Sequence, residues 1–373
     1  MKILITGSKG FVGQNICAEL RNRGIPYYEY DVGCSDSNLE LYLRDSSSII
    51  HLAGTNRPQK TEEYYSGNSD LTLKLVQLIN KLQIKLPIIF SSSIQATMDG
   101  DYGKSKKIAE DILFEYSSMN RIPVYIYRLS NLFGKWCRPN YNSVVATFCY
   151  NVANDMPISI SNPDIVIPFV YIDDVVENLL ESAIGKTNFE FGRHYFVEPI
   201  YQVSIGSLLV KIKNFALCRS ENVVPNLEND FDRKLYATFL SYINGDKLSS
   251  SLVPHEDNRG SFTEILKSSS FGQISVNVIK PGIIKGNHWH HTKNEKFVLL
   301  DGQAKVKLRQ INSNVIFTYD MSVKSLQIID IPPGYTHSIE NDGLTDSILL
   351  IWASEIFDIS KPDTYYMEVG KNE

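Results

Sequence analysis

The sequence predicts an α/β domain on a doubly wound parallel sheet, followed by an all-β barrel. Three observations carry this. The chain has 373 residues, more than one ordinary core holds. Its first half alternates short apolar runs with helical stretches, starting from a glycine loop at Gly7, Gly10 and Gly13. Its last third is a series of short alternating runs separated by turn residues, and three of the chain's seven histidines fall within residues 286–297.

The opening stretch MKILITGSKGFVGQNICAELRNRG reads as strand, loop and helix. Ile3, Leu4 and Ile5 form the continuous apolar run of a strand buried on both faces. The glycines follow as GxxGxxG. They provide a tight turn, backbone approach to a pyrophosphate, and close packing of helix on strand. Phe11 and Val12 lie in the same loop, where the helix N-terminus favours an anion. YYEYD ends a second strand at Asp31, 24 residues after Gly7, where an acid binds an adenosine ribose. That position favours NADH over NADPH, because a 2′-phosphate is repelled.

SIIHLAG is the next strand, with Leu52, Ala53 and Gly54 at its exit beside the cofactor. LPIIFSSS ends in Ser91, Ser92 and Ser93, and VYIYRLSNLFG is read as one further strand. Ligands bind at the carboxyl ends of such strands. Tyr102 and Lys106 are spaced i, i+4 and share a helix face. A phenol has a pKa of about 10; a nearby ammonium is expected to lower it. The pair then passes a proton to or from a carbonyl oxygen that a serine hydroxyl holds.

Residues 243–260 read as a linker, after which the texture turns to β. The Asp301–Gly302 pair between two alternating runs signals a hairpin. His288 and His290 are i, i+2 and point to one face of a strand, and His291 points away. Glu295 starts the neighbouring run, and His337 can meet them if a barrel closes. Three imidazoles and a carboxylate suit zinc, nickel, iron or manganese.

Net charge is -5 and the pI about 5.9, which argues against nucleic-acid or anionic-membrane partners. An anionic substrate needs local cations such as Arg57, Lys135 or Arg138. Five cysteines without a CxxC pair fit free thiols. With no leader pattern and no apolar run near the roughly 20 residues of a spanning helix, a cytoplasmic protein without a membrane partner is expected.

TGSKGFVG, HLAG, FSSS, YGKSK, RLSNLFG and YIDDVV together resemble the extended short-chain dehydrogenase/reductase family, over about residues 1–245. The resemblance implies a Rossmann fold, NADPH as cofactor, and Ser93, Tyr102 and Lys106 as the catalytic set. It is favoured over the NADH reading because an acid at a strand end can turn outward. Arg57 and Asn131 are the substrate candidates in this domain. The nine positions from Ser93 to Tyr102 are fewer than most of the family has, which leaves the choice among the three serines open.

GIIKGNHWHHTKNEKFVLLDG fits the first cupin motif, G-x5-H-x-H-x4-E-x6-G, and PPGYTHSIEN fits the second. This resemblance, over 255–373, carries the metal role onto His288, His290, Glu295 and His337, with zinc foremost. It turns Trp289 away from the metal. Leu326 stands where the second motif has glycine. DNRGSFTE resembles the first strand of cupins that epimerise deoxysugar nucleotides, and so assigns nucleotide contacts to Arg259 and Glu264.

Taken whole, the chain resembles the bifunctional UDP-sugar reductase/epimerase family of capsule and O-antigen synthesis. That implies epimerisation of a UDP-2-acetamido-2,6-dideoxy-4-hexulose at C3 in the cupin and reduction at C4 in the Rossmann domain. The product is the L-talose sugar nucleotide, on the route to UDP-N-acetyl-L-fucosamine. A homodimer is implied as well. Three rivals remain: an NAD-retaining dehydratase or epimerase, a cupin that only binds or dimerises, and a non-enzymatic redox sensor.

Overall fold

The computed structural model describes residues 2–370. The chain forms two compact units, Met1–Lys213 with Asp230–Asn244, and Asn214–Asn229 with Gly245–Glu373. The first is an α/β Rossmann domain. Its six strands lie in the order Tyr27–Tyr30, Ile3–Thr6, Ser48–His51, Ile88–Ser93, Val124–Leu129, His194–Tyr195, all parallel.

Alternation along the strands divides the apolar residues between two cores. Ile3, Ile5, Ile50 and Ile89 face helices Phe11–Asn22 and Ile172–Ala183. Leu4, Ile49, Ile88 and Phe90 face helices Leu71–Lys81 and Asp101–Asn120. Covering both faces is what makes these strands read as unbroken apolar runs. The VYIYRLSNLFG stretch is two strands, not one. Val124–Leu129 stays in the main sheet, while Asn131–Phe133 pairs with Val166–Tyr171 in a separate three-stranded sheet.

Two glycines of the opening loop are there because nothing larger fits. Gly7 has φ +71, and a Cβ on it would lie 2.7 Å from the Ala53 amide nitrogen. A Cβ on Gly13 would lie 2.2 Å from the Gly7 carbonyl oxygen. After Ser93 a single 3₁₀ turn, Ile94–Thr97, leads to helix Asp101–Asn120. This short connection closes because Gly103 lets the helix ride on the Gln95 carbonyl.

The second unit is the cupin β domain, two antiparallel sheets facing each other across one core. The six-stranded sheet runs His255–Asp257, Gly260–Ser268, Gly272–Ile279, Ser347–Ala353, Glu295–Asp301, Ile328–Ile331. The five-stranded sheet runs Ile316–Ser322, Gln303–Gln310, Tyr335–Glu340, Ile284–Trp289, Tyr365–Tyr366. Phe297, Ile331 and Leu349 of one sheet meet Val306 and Ile339 of the other in the core. Asn214–Asn229 joins this unit, with the Val224 amide donating to Lys267 O at 2.7 Å.

Two sequence expectations change here. Asp301–Gly302 is not a hairpin: Glu295–Asp301 and Gln303–Gln310 lie in different sheets, and this turn carries the chain from one to the other. Gly302 is required because a Cβ would lie 2.5 Å from the Asp346 carbonyl oxygen. The linker is also shorter than its composition suggests, since His255–Asp257 already pairs as a strand with Gly260–Phe262.

A Gly103→Ala variant places a methyl 2.2 Å from the Gln95 carbonyl oxygen. Overpacking of this kind costs about 1–3 kcal/mol, so thermal unfolding should show a clearly lowered Tm.

Candidate active sites

In the first unit the site lies at the carboxyl end of strand Ile88–Ser93. Its three serines have separate partners. Ser91 supplies its carbonyl to Lys106 Nζ at 3.0 Å. Ser92 Oγ donates to Glu110 Oε1 at 2.6 Å. Ser93 Oγ accepts the Gln95 amide at 3.1 Å and hydrogen-bonds the Tyr102 side chain. Ser93 is thus the serine that meets the phenol.

Glu110 is buried and anchors this region. Arg128 donates to both its oxygens, at 2.9 and 2.6 Å, and His194 Nε2 lies 3.1 Å away. Burial pushes this carboxyl up, but the bonds from Arg128 and Ser92 outweigh it and hold the group below its ordinary range. Asn68 ties the neighbouring loop down by donating to Thr55 O and Ser105 Oγ. His51 is fully buried between Thr6 and Thr72, and burial, aided by the Lys106 charge, lowers it to about 3.

The expected lowering of the Tyr102 phenol is absent. Burial pushes it up to about 12, with the Ser93 hydrogen bond acting the other way. The ammonium of Lys106 is turned to Ser91 O, and burial lowers it to about 8 against the pull of Glu110. Desolvation is the largest influence on both groups.

The glycine loop has an open N-terminal helix end: no side chain caps helix Phe11–Asn22, and its first turn holds no acid. Gly7, Gly10, Phe11, Val12 and Gly13 can therefore face a pyrophosphate. Leu52 and Ala53 pack against Gly7, and Gly54 lies beside Asn68 and Lys106. Asp31 does not turn outward; its carboxylate accepts the Lys9 and Val32 amides, each at 2.7 Å, over the loop. Two of the three predicted cations have other partners. Lys135 pairs with Asp173 at 2.6 Å, Arg138 stacks on Tyr141, and Arg57 is exposed after the Ser48–His51 strand. Asn131 is exposed and donates to Pro168 O.

In the second unit His288, His290, Glu295 and His337 converge, with one potential ligand atom from each lying within 4.8 Å of the others. His288 sits opposite His337 in the strand register. Glu295 Oε2 is 3.5 Å from His290 Nε2 and 3.4 Å from His337 Nε2. Burial lowers His337 to about 3 and also lowers His288, so these imidazoles are neutral and free to ligate. Burial pushes Glu295 up, yet the neighbouring histidines keep it below its usual range. His291 and Trp289 face elsewhere and pack on Tyr365.

Asp363 escaped the sequence reading. Its carbonyl accepts from His290 Nδ1 at 2.6 Å, which turns His290 Nε2 into the cluster without a partner of its own. Its carboxylate accepts the amides of His291, Thr292 and Lys293 at 2.9, 3.0 and 2.9 Å. Burial opposes that charge, but the three amides hold the carboxyl far below its ordinary range. Asp363 has a positive φ of 40°, and no local pattern announces its double use.

The four converging residues line a cavity of about 500 Å³ that Arg259, Glu264 and Lys285 also line. Arg259 donates to Asp257 at 3.0 and 2.6 Å, and Glu264 pairs with Lys267 at 3.1 Å.

Residues 3–186 match the NAD dependent epimerase/dehydratase family, and residues 255–365 match the polysaccharide biosynthesis C-terminal domain. The UDP-2-acetamido-2,6-beta-L-arabino-hexul-4-ose reductase of Pseudomonas aeruginosa is 41% identical over 372 residues, 100% of each chain. The capsular polysaccharide assembling protein CapF from Staphylococcus aureus superposes with a TM-score of 0.92 at 42% identity, covering 99% of this chain and 100% of that one. The UDP-glucose 4-epimerase of Thermus thermophilus, in complex with NAD, superposes at 0.53 with 17% identity, over 65% of this chain and 99% of its own. This last likeness is one of fold alone.

The burial of Lys106 has a stability consequence. Its folded pKa, about 8, lies below the unfolded 10.5. Folding therefore costs stability while the amine must be charged, below about pH 8. That cost fades as pH rises toward 10.5. The Lys106→Met variant should have a higher denaturant midpoint than wild type at pH 7, and the gap should shrink between pH 8 and 10.5.

Proposed function

The chain belongs to the family of the UDP-2-acetamido-2,6-beta-L-arabino-hexul-4-ose reductase, and from that premise we propose that it converts this 4-keto UDP-sugar in two steps. The cupin unit inverts C3, and the Rossmann unit then reduces C4 to give the UDP-2-acetamido-2,6-dideoxy-L-talose nucleotide. The product feeds UDP-N-acetyl-L-fucosamine synthesis for capsule or O-antigen, in the cytoplasm, from a homodimer. The order follows from the chemistry: the C3 hydrogen is acidic only while C4 is a ketone.

The observation that carries the reductive step is the Ser93–Tyr102 pair. A phenol held near 12 keeps its proton at neutral pH, as a proton donor to a forming alkoxide must. Ser93 Oγ, bonded to that phenol, orients the ketone oxygen toward it. Lys106 sits with its ammonium between Ser91 O and the Gly54 edge, ready to hold a ribose hydroxyl. The glycine loop and its uncapped helix fit a dinucleotide. A bound nicotinamide, NADPH as the family resemblance implies, supplies the hydride to C4.

Asp31 bears on that choice of cofactor. Its carboxylate lies on the loop and opposes a 2′-phosphate, so the preference for NADPH is held down and NADH remains a substrate.

His288, His290, Glu295 and His337 fit one divalent ion. The unpartnered, buried Nε2 of His290 is otherwise unexplained, and three imidazoles with a carboxylate suit zinc. Such an ion supplies Lewis acidity for the ketone. Arg259 and Glu264 line the same cavity, which supports reading them as nucleotide contacts.

The first measurement is NMR in D2O with the 4-keto UDP-sugar, before and after NADPH is added. Deuterium should enter C3 without cofactor, and reduction should follow. Reduction with no deuterium at C3 would leave a plain reductase with a structural metal site. A Tyr102→Phe variant should lose about 10²–10⁴-fold in reduction while keeping C3 exchange. Replacing Asp31 with asparagine should raise kcat/KM for NADPH relative to NADH by about tenfold, near 1.4 kcal/mol, in steady-state assays with both cofactors.

A further inference from the structure

The epimerisation needs a group that takes a proton from carbon, and none of the four converging residues can both bind a metal and do this. The other charged side chains on the cavity differ in how far they are committed. Arg259 is closed on Asp257, and Glu264 on Lys267. Glu355 accepts from Thr292 Oγ1 at 2.8 Å. Lys293 donates to Pro362 O and Thr364 Oγ1, and its remaining side faces the Phe357 ring at 6.0 Å. His255 is exposed on the edge strand.

Lys285 is different. It stands on the Ile284–Trp289 strand, which also bears His288. The strand register shifts between Gly286 and His288, where Gly286 has φ +93 and Asn287 φ +57. This bulge brings Lys285 onto the cavity together with His288 and His290, although simple alternation would send it to the opposite face. Its Nζ donates to Asn277 Oδ1 at 2.8 Å and to Val278 O at 3.1 Å. Two of the three outward positions of the nitrogen are thereby fixed by acceptors. The third holds a proton in the ammonium and a lone pair in the amine.

We propose that Lys285 is the catalytic base of the cupin unit, taking the C3 proton of the 4-keto sugar through that third position. The inference rests on the epimerase reading given above. In the step, the C3–H bond breaks and its proton passes to the neutral amine of Lys285. The electron pair forms the C3–C4 double bond, and the negative charge moves to O4. A proton derived from water then adds to the other face of C3, and the Lys285 ammonium returns its proton to water. Burial lowers this ammonium from its ordinary value, with Asp257 acting against the change and Arg259 with it, which is the direction a base requires.

The test uses the full chain and UDP-2-acetamido-2,6-dideoxy-β-L-arabino-hex-4-ulose in D2O, without reduced nicotinamide. Deuterium at C3 is followed by NMR for wild type, Lys285→Arg and Lys285→Ala. Both variants should lose 100-fold or more in exchange rate, keep wild-type metal content, and keep NADPH-dependent reduction of a separately supplied C3-inverted ketone. Added ethylamine should restore exchange to Lys285→Ala. Exchange in Lys285→Arg within a few-fold of wild type would overturn the proposal, since it would leave only a charge at that position. Loss of metal in the variants, or no rescue by the amine, would also overturn it. Absence of exchange in wild type would instead sink the epimerase reading itself.

Discussion

The carboxylate of Glu110 has no solvent exposure, and a charge at that depth without partners would cost several kcal/mol. It is answered by Arg128 from one strand, Ser92 from the next and His194 from a third. Those three partners tie helix Asp101–Asn120 to the sheet. Tyr102 and Lys106 ride on that helix and Ser93 follows Ser92, so the geometry of the candidate site depends on how one buried acid is satisfied. Asp363 does the same work in the second unit, where a single residue answers three backbone amides and orients His290.

Desolvation also raises the Tyr102 phenol in the first unit. A phenol whose pKa is raised by burial is a poor base and a ready acid, which suits reduction of a ketone better than oxidation of an alcohol. In the proposed reaction the two carbons changed are neighbours in one sugar, and each falls to a unit with its own core. In that proposal the work divides by chemistry: one step would take a water-derived proton at carbon, the other a hydride away from water.

What could be read in the sequence was local. The glycine spacing, the serine run at a strand end, the Tyr102–Lys106 interval and the His288–His290 alternation each sit within a few residues of their partners. The parallel sheet followed from unbroken apolar runs, and the β domain from alternating ones. What escaped depends on sheet order. Asp363 meets His290 across 73 positions, and Glu110 meets His194 across 84. The Asp301–Gly302 turn has a hairpin's residues but joins two sheets, because each flanking strand finds better partners elsewhere. Lys285 was hidden by parity: counting by twos from His288 puts it on the wrong face, and only the bulge at Gly286–Asn287 brings it back.

Residues 214–229 belong with the second unit, while 230–244 return to the first. The chain therefore passes between the units three times. Two activities joined by one tether can be parted by one protease or by one stop codon moved in evolution. Here a nick in any one passage leaves two covalent links, and a gene split near residue 245 would strand a segment that pairs with Lys267. The union of the two units is thus secured by how the chain is threaded.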